Sequence, residues 1–169
     1  MGTLGSHYLT FVDARESEKE LARNLQIRAA NLNDLTEICE IEEASFSSDP
    51  YPEFLIRRLL NDKKSLFLVA TRGNEIVGYL VSRMEVGTAH LISLAVQPRE
   101  RRSGTATQLV DKLSAALRNS GVREIRLEVR PDNKGAIELY VRLRFREERV
   151  LPQYYSDGSP ALLMRKVIE

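Results

Sequence analysis

A mixed α/β sheet with helices on both faces is the fold class this sequence predicts, and three observations carry it. Arg123 to Arg130 alternates strictly, with Ile125, Leu127 and Val129 on one face and four charged residues on the other. That is the period of a half-buried strand. Ala106, Leu109, Val110, Leu113 and Leu117 recur at helical spacing and make one apolar face. The apolar run Ala89 to Val96 precedes that helix, so strand and helix periods succeed one another along the chain.

The remaining elements follow in order. Leu25 to Ala29 reads as a first strand. Asn31 or Asn33 can cap a helix whose apolar face is Leu35, Ile38, Cys39 and Ile41, ending near Ser45. Pro50 and Pro52 exclude helix from residues 47–52, and a short helix runs from Pro52 to about Leu60. Leu66 to Thr71 and Glu75 to Glu85 form a hairpin around Arg72-Gly73-Asn74. Ala89 to Val96 is apolar almost throughout, as expected of a strand covered on both faces. After the helix near Thr105, Gly121 supplies a left-handed stop. Beyond the alternating strand, a helix from Asn133 to Leu143 aligns Ala136, Leu139, Tyr140 and Leu143. Phe145 to Val150 and Ala161 to Val167 close the chain as strands, giving the order β-α-α-β-β-β-α-β-α-β-β.

Composition sets the outer bounds. A chain of 169 residues, 43% hydrophobic, fits one domain with a real core. Residues 25–169 are read as that domain, and residues 1–24 as a flexible or tag-derived arm. Within the arm, Met1-Gly2-Thr3-Leu4-Gly5-Ser6 formally matches an N-myristoylation pattern, with a cloning remnant as the alternative. A net charge of +1 argues against nucleic acid or a membrane surface as partner. No run approaches the ~20 apolar residues of a membrane span. The single cysteine, Cys39, suits a reducing cytoplasm, and two histidines with one cysteine provide no four-ligand zinc spacing, so no metal is expected.

The chemistry begins at Arg101-Arg102-Ser103-Gly104-Thr105-Ala106, between a strand and a helix start. Amides of a first helical turn lack intrahelical partners, and the helix dipole adds positive charge there. Arg99, Arg101 and Arg102 add cations suited to a diphosphate. The loop is neither a Walker loop nor the three-glycine Rossmann turn.

Arg-x-x-Gly-x-Ala after a strand resembles the coenzyme A loop of the GNAT acetyltransferases. The run Leu91 to Val96, the stretch Leu127-Glu128-Val129-Arg130, Asn133 and Ala136-Ile137-Glu138-Leu139-Tyr140 fall where that family carries its signatures. The tail Tyr154-Tyr155-Ser156-Asp157-Gly158, followed by Ala161 to Met164, is similar to the RimI-type and archaeal protein N-terminal acetyltransferases. The resemblance spans residues 25–168. It implies acetyl-CoA as cofactor, with its pantetheine arm along Leu94, Ala95 and Val96, where the strand splays from its neighbour at a bulge. The diphosphate would rest on amides from Arg102 through Ser103, Gly104, Thr105 and Ala106 to Thr107, supported by Arg101 and Arg102, with Asn133 and Tyr140 also meeting the cofactor.

Acetyl transfer to an amine needs a neutral amine, a stabilised carbonyl oxygen and a protonated leaving thiol. An α-amine, with a pKa of about 7.7–8.0, needs only a mild base. The resemblance gives that role to Glu128 and the acid role to Tyr140, with His90 as a second base, a relay or a structural histidine. Cys39 sits within a helical apolar face, so direct attack in a ternary complex is favoured over a covalent route. Asp49-Pro50-Tyr51 matches the loop that reads the acceptor in relatives, although Asp-Pro departs from their Glu-Asn. Tyr154 and Tyr155 either wall the other side of the acceptor or hinge that loop onto the core. The acceptor implied is a protein or peptide N-terminus, drawn from a ribosomal protein or nascent chains. A lysine or polyamine acetyltransferase, or a coenzyme A-binding module without turnover, are the alternatives.

Overall fold

The computed structural model describes residues 24–46 and 49–168. The arm, apart from Asn24, and Ser47 and Ser48 of the acceptor loop therefore lie outside the described residues. Strands are β1 (Leu25–Ala29), β2 (Ser65–Arg72), β3 (Glu75–Met84), β4 (Thr88–Val96), β5 (Glu124–Val129), β6 (Arg146–Leu151) and β7 (Ala161–Val167). Helices are α1 (Leu35–Ser45), α2 (Glu53–Asn61), α3 (Thr105–Leu117) and α4 (Lys134–Arg142), with short 3-10 turns at Leu32–Asp34 and Pro98–Glu100. The element order is the one the sequence predicts.

Local chemistry sets the boundaries. Asn31, not Asn33, caps the first helical segment: its side chain accepts from the Asn33 amide, and Asp34 accepts back from the Asn31 amide. Asn133 caps α4, its Oδ1 accepting from the Ala136 N–H at 3.1 Å. Gly121 has φ +77°, the left-handed value expected after α3.

One seven-stranded sheet runs β1-β2-β3-β4-β5-β7-β6, with β4 and β5 its parallel pair. On one face α3 and α4 bury Leu109, Val110, Leu113, Leu117 and Tyr140 against Leu80, Leu127 and Met164. On the other, α1 and α2 bury Leu35, Ile38, Ile41 and Ile56 against Phe67, Val69, Tyr79 and Val81. Each such aliphatic side chain contributes about 1.5–3 kcal/mol by leaving water.

β4 departs from expectation. Its apolar run is not covered evenly on both faces, because Ala89, Leu91, Ser93 and Ala95 are buried while His90, Ile92, Leu94 and Val96 are only half-buried. The cause is a bulge: Val81 pairs with Ser93 and Ser82 with Leu91, leaving Ile92 as the extra residue. Ala89, Leu91 and Leu94 pack in the α3/α4 core, whereas Ile92 and Ala95 pack in the α1/α2 core. The bulge moves the strand's phase from one core to the other, so the sequence shows no alternation. It also lies upstream of Leu94, where the family resemblance would put it.

Pairing between β4 and β5 covers only Thr88, Ala89 and His90 with Glu124, Ile125 and Arg126. Among the described residues, the β5-side edge of β4 has no ladder partner from Leu91 to Val96, while β5 continues against β7 through Val129. Gly78 on β3 lets the chain close tightly beneath that notch. A Cβ there would stand 3.0 Å from the Ala95 carbonyl and 3.3 Å from the Thr105 methyl at the start of α3.

Candidate active site

Beside the notch, two side chains on the sheet face opposite Ile125, Leu127 and Val129 meet. His90 Nε2 and Glu128 Oε2 are 2.5 Å apart, with side chains 35% and 17% exposed. Glu124 on the same strand is equally shielded, at 18%, but it pairs with Arg126 and Arg165, so Glu128 differs from it in facing a histidine. The hydrogen bond to Glu128 raises the His90 pKa above the ordinary imidazole value, against desolvation, which acts the other way.

Tyrosines surround this pair. Burial and the facing Glu128 carboxylate push Tyr154 up to about 12, although its side chain stays within reach of solvent. Tyr51 and Tyr155 are raised for the same two reasons, with Glu42 acting on Tyr51 as well and Arg130 opposing the shift at Tyr155. The Tyr154 and Tyr155 rings meet edge to face at 5.1 Å, and both amides donate to the Ser159 carbonyl. The Arg130 guanidinium lies 3.9 Å over the Tyr155 ring and also binds Asp157 and Ser159. Ser159 and Arg130 together hold the Asp157 carboxyl down at about 2. The tyrosine loop is therefore braced at both ends and forms one wall of the cleft.

Tyr51 forms the opposite wall, with Pro50 half-buried and Asp49 exposed beside it. Next to Tyr51 a groove of about 260 Å³ runs between Leu55, Arg58 and Leu59 of α2 and Ile92 of the bulge. Tyr140 is buried on α4, its ring 5.5 Å from that of Phe145. Burial, with Tyr155 nearby, pushes its hydroxyl up to about 12. The hydroxyl therefore keeps its proton through the neutral range.

The 101–106 loop forms a separate cluster at the end of β4. Gly104 adopts φ +84° and precedes α3 with no side-chain cap, and the first turn holds no acidic residue. The amides of Thr105, Ala106 and Thr107 thus have no intrahelical acceptor. The Ser103 hydroxyl donates to the Glu100 carbonyl at 2.6 Å and sits 2.8 Å from Thr105 Oγ1, which folds both hydroxyls into the loop. Arg101 and Arg102 are exposed, and Arg101 Nε reaches the Val96 carbonyl at 3.3 Å. Arg99, grouped with them by sequence, instead binds Glu75 and Gln97 across the sheet end. An ion pair draws it away from the loop.

Residues 32–145 match the Acetyltransferase (GNAT) family. The chain belongs to the GNAT acetyltransferases. An N-alpha-acetyltransferase of Saccharolobus solfataricus is 33% identical over 163 residues, covering 89% of this chain and 97% of its own. Among solved structures, Ard1 from Thermoplasma volcanium is 30% identical with a TM-score of 0.79, over 86% of this chain and 98% of its own. The ribosomal-protein-S18-alanine N-acetyltransferase of Escherichia coli is 27% identical with a TM-score of 0.78, over 86% and 95%.

GNAT enzymes take their acetyl group from acetyl-CoA, and three features of this chain fit that cofactor. The edge from Leu91 to Val96, open among the described residues, offers backbone groups to an amide-bearing arm. The uncapped start of α3 offers amides to a diphosphate, and Arg101 and Arg102 stand beside it.

One buried group was missed in the sequence. Glu42, on the apolar stripe of α1 one turn after Ile38, is 1% exposed. Its carboxyl is raised by burial, a shift moderated by hydrogen bonds from the Tyr51 amide and from the Tyr79 and Ser93 hydroxyls. Only its place on that stripe could have flagged it.

Proposed function

We propose that this GNAT acetyltransferase acetylates the N-terminal α-amine of proteins by direct attack within a ternary complex. The observation that carries the proposal is the Glu128–His90 pair at the strand notch, walled by Tyr51 on one side and by Tyr154 and Tyr155 on the other. An extended peptide end fits such a cleft, with aromatic faces against its side chains and hydroxyls against its backbone. Similarity to N-alpha-acetyltransferases along nearly the whole chain supports the same acceptor. Ribosomal proteins or nascent chains in the cytoplasm are the corresponding pool of N-termini.

Bound acetyl-CoA supplies the thioester from which the acetyl group departs. Glu128 takes the amine proton, directly or through a water, and His90 holds the carboxylate in place and shares the proton load. Tyr140 donates to the departing sulfur. Asn133, its Oδ1 committed to capping α4, keeps its Nδ2 for the cofactor. Cys39 lies half-buried on α1, its pKa raised by burial and by Glu53 and Glu43, so it stays a thiol and supports no covalent route.

The test is a peptide library with acetyl-CoA, read by mass spectrometry. Acetylation is expected on free N-termini, with N-blocked, lysine-containing peptides at least about tenfold slower, because lysine, at a pKa of about 10.4, presents far less neutral amine. Equal rates on both would overturn the proposal.

His90 carries a second expectation. Its raised pKa means that the pair keeps its proton to higher pH than free imidazole, so the basic form builds up only as pH rises through that value. At saturating peptide, the acid limb of kcat should centre above the ordinary histidine value. In His90→Asn the limb should move to lower pH. An unmoved limb would assign it to another group.

A further inference from the structure

Glu42 is the most buried carboxylate among the described residues, and no described cation pairs with it. A buried carboxylate without a counter-charge is costly unless hydrogen bonds satisfy its oxygens. Here three groups do so, each from a different element. The Tyr51 amide donates to Oε1 at 2.8 Å, from the loop entering α2. The Tyr79 hydroxyl of β3 donates a short hydrogen bond to Oε2. The Ser93 hydroxyl of β4 reaches the same oxygen at 3.5 Å and lies 2.9 Å from the Tyr79 hydroxyl. Ser93 immediately follows Ile92, the extra residue of the bulge. One carboxylate therefore ties together α1, the strand distortion beside the notch and the backbone of the Tyr51 wall.

We propose that Glu42 is a positioning residue for the acceptor, suspending the Tyr51 wall of the cleft from the β4 bulge through its hydrogen bonds to the Tyr51 amide, Tyr79 and Ser93. The inference rests on the cleft's taking an amine acceptor between Tyr51 and Tyr154. Glu42 touches neither substrate. Its effect runs through where Tyr51 stands relative to Glu128. An amide at position 42 can sustain the same net: its oxygen accepts from Tyr51, and its NH₂ donates to the Tyr79 and Ser93 oxygens. An alanine cannot.

The experiment compares Glu42→Ala, Glu42→Gln and Tyr79→Phe with the wild type by two readouts. The first is amide hydrogen exchange, which needs no activity. In Glu42→Ala the Tyr51 amide should exchange at least about tenfold faster, having lost a hydrogen bond to a charged group, while β2 and β3 amides keep their rates. The second is steady-state kinetics with a free-N-terminus peptide. Glu42→Ala should raise the peptide KM by about tenfold, with kcat and the acetyl-CoA KM within about threefold. Glu42→Gln should recover both readouts. Tyr79→Phe, which keeps the Tyr51 bond, should raise the peptide KM in the same direction by a smaller factor, and it carries the test if Glu42→Ala does not fold. An unchanged Tyr51 exchange rate, a uniform rise across the core, or a Glu42→Gln variant as impaired as alanine would overturn the proposal. If the wild type acetylates no N-terminal peptide, the acceptor assignment fails, and hydrogen exchange alone still decides the role of Glu42.

Discussion

Glu128→Gln should lower kcat by on the order of 10² or more, the scale of a lost general base, with acetyl-CoA affinity unchanged. Glutamine keeps the size of glutamate and can still hydrogen-bond His90 Nε2, now 2.5 Å from Oε2, so the cleft keeps its shape. The 101–106 loop lies at the far end of β4, beyond Val96, while Glu128 meets His90 near the start of that strand. The lost turnover thus isolates proton removal from binding. Single-turnover acetylation alongside calorimetric titration of acetyl-CoA measures both. Turnover within about threefold of wild type would leave His90 or solvent as the base.

Tyr140→Phe has the next largest expected effect, a fall in kcat on the order of 10². Removing one oxygen keeps the ring and its edge contact with Phe145. No described residue hydrogen-bonds the hydroxyl, so its removal leaves no partner unsatisfied and stability should change by no more than about 1 kcal/mol. A packing role predicts the reverse, a shifted melting temperature with turnover intact. Thermal unfolding and kcat, measured on the same preparation, separate the two.

Much of the fold was legible because it rests on local periodicity and punctuation. The strands Leu25–Ala29 and Ala161–Val167 fall at the bounds their pattern predicts. The helix at Thr105 follows directly from its glycine and its heptad-like stripe. Other features depend on partners far along the chain. The bulge at Ile92 is a mismatch between β4 and β3, and nothing in β4 alone encodes it. Arg99 leaves the anion loop for Glu75, a partner that only the folded sheet brings close. The Glu42 net joins residues 9, 37 and 51 positions away, so sequence shows only a charge on an apolar stripe. Glu128 and Tyr140 lie on regular elements whose faces could be counted, and the family resemblance then supplied their roles. The pairing of His90 with Glu128, 38 positions apart, emerged only when β4 and β5 were set side by side.

The parting of β4 from β5 has a thermodynamic consequence of its own. Among the described residues, the seam leaves part of the sheet's own hydrogen bonding uncompleted. Whatever fills the seam binds the folded chain and not the unfolded one, and so contributes to stability by mass action, about 2.7 kcal/mol at a hundred times its dissociation constant. That is a sizeable share of the 5–15 kcal/mol that typically holds a domain together. An acetyl donor held in the seam at that excess would stabilise the folded chain by the same amount.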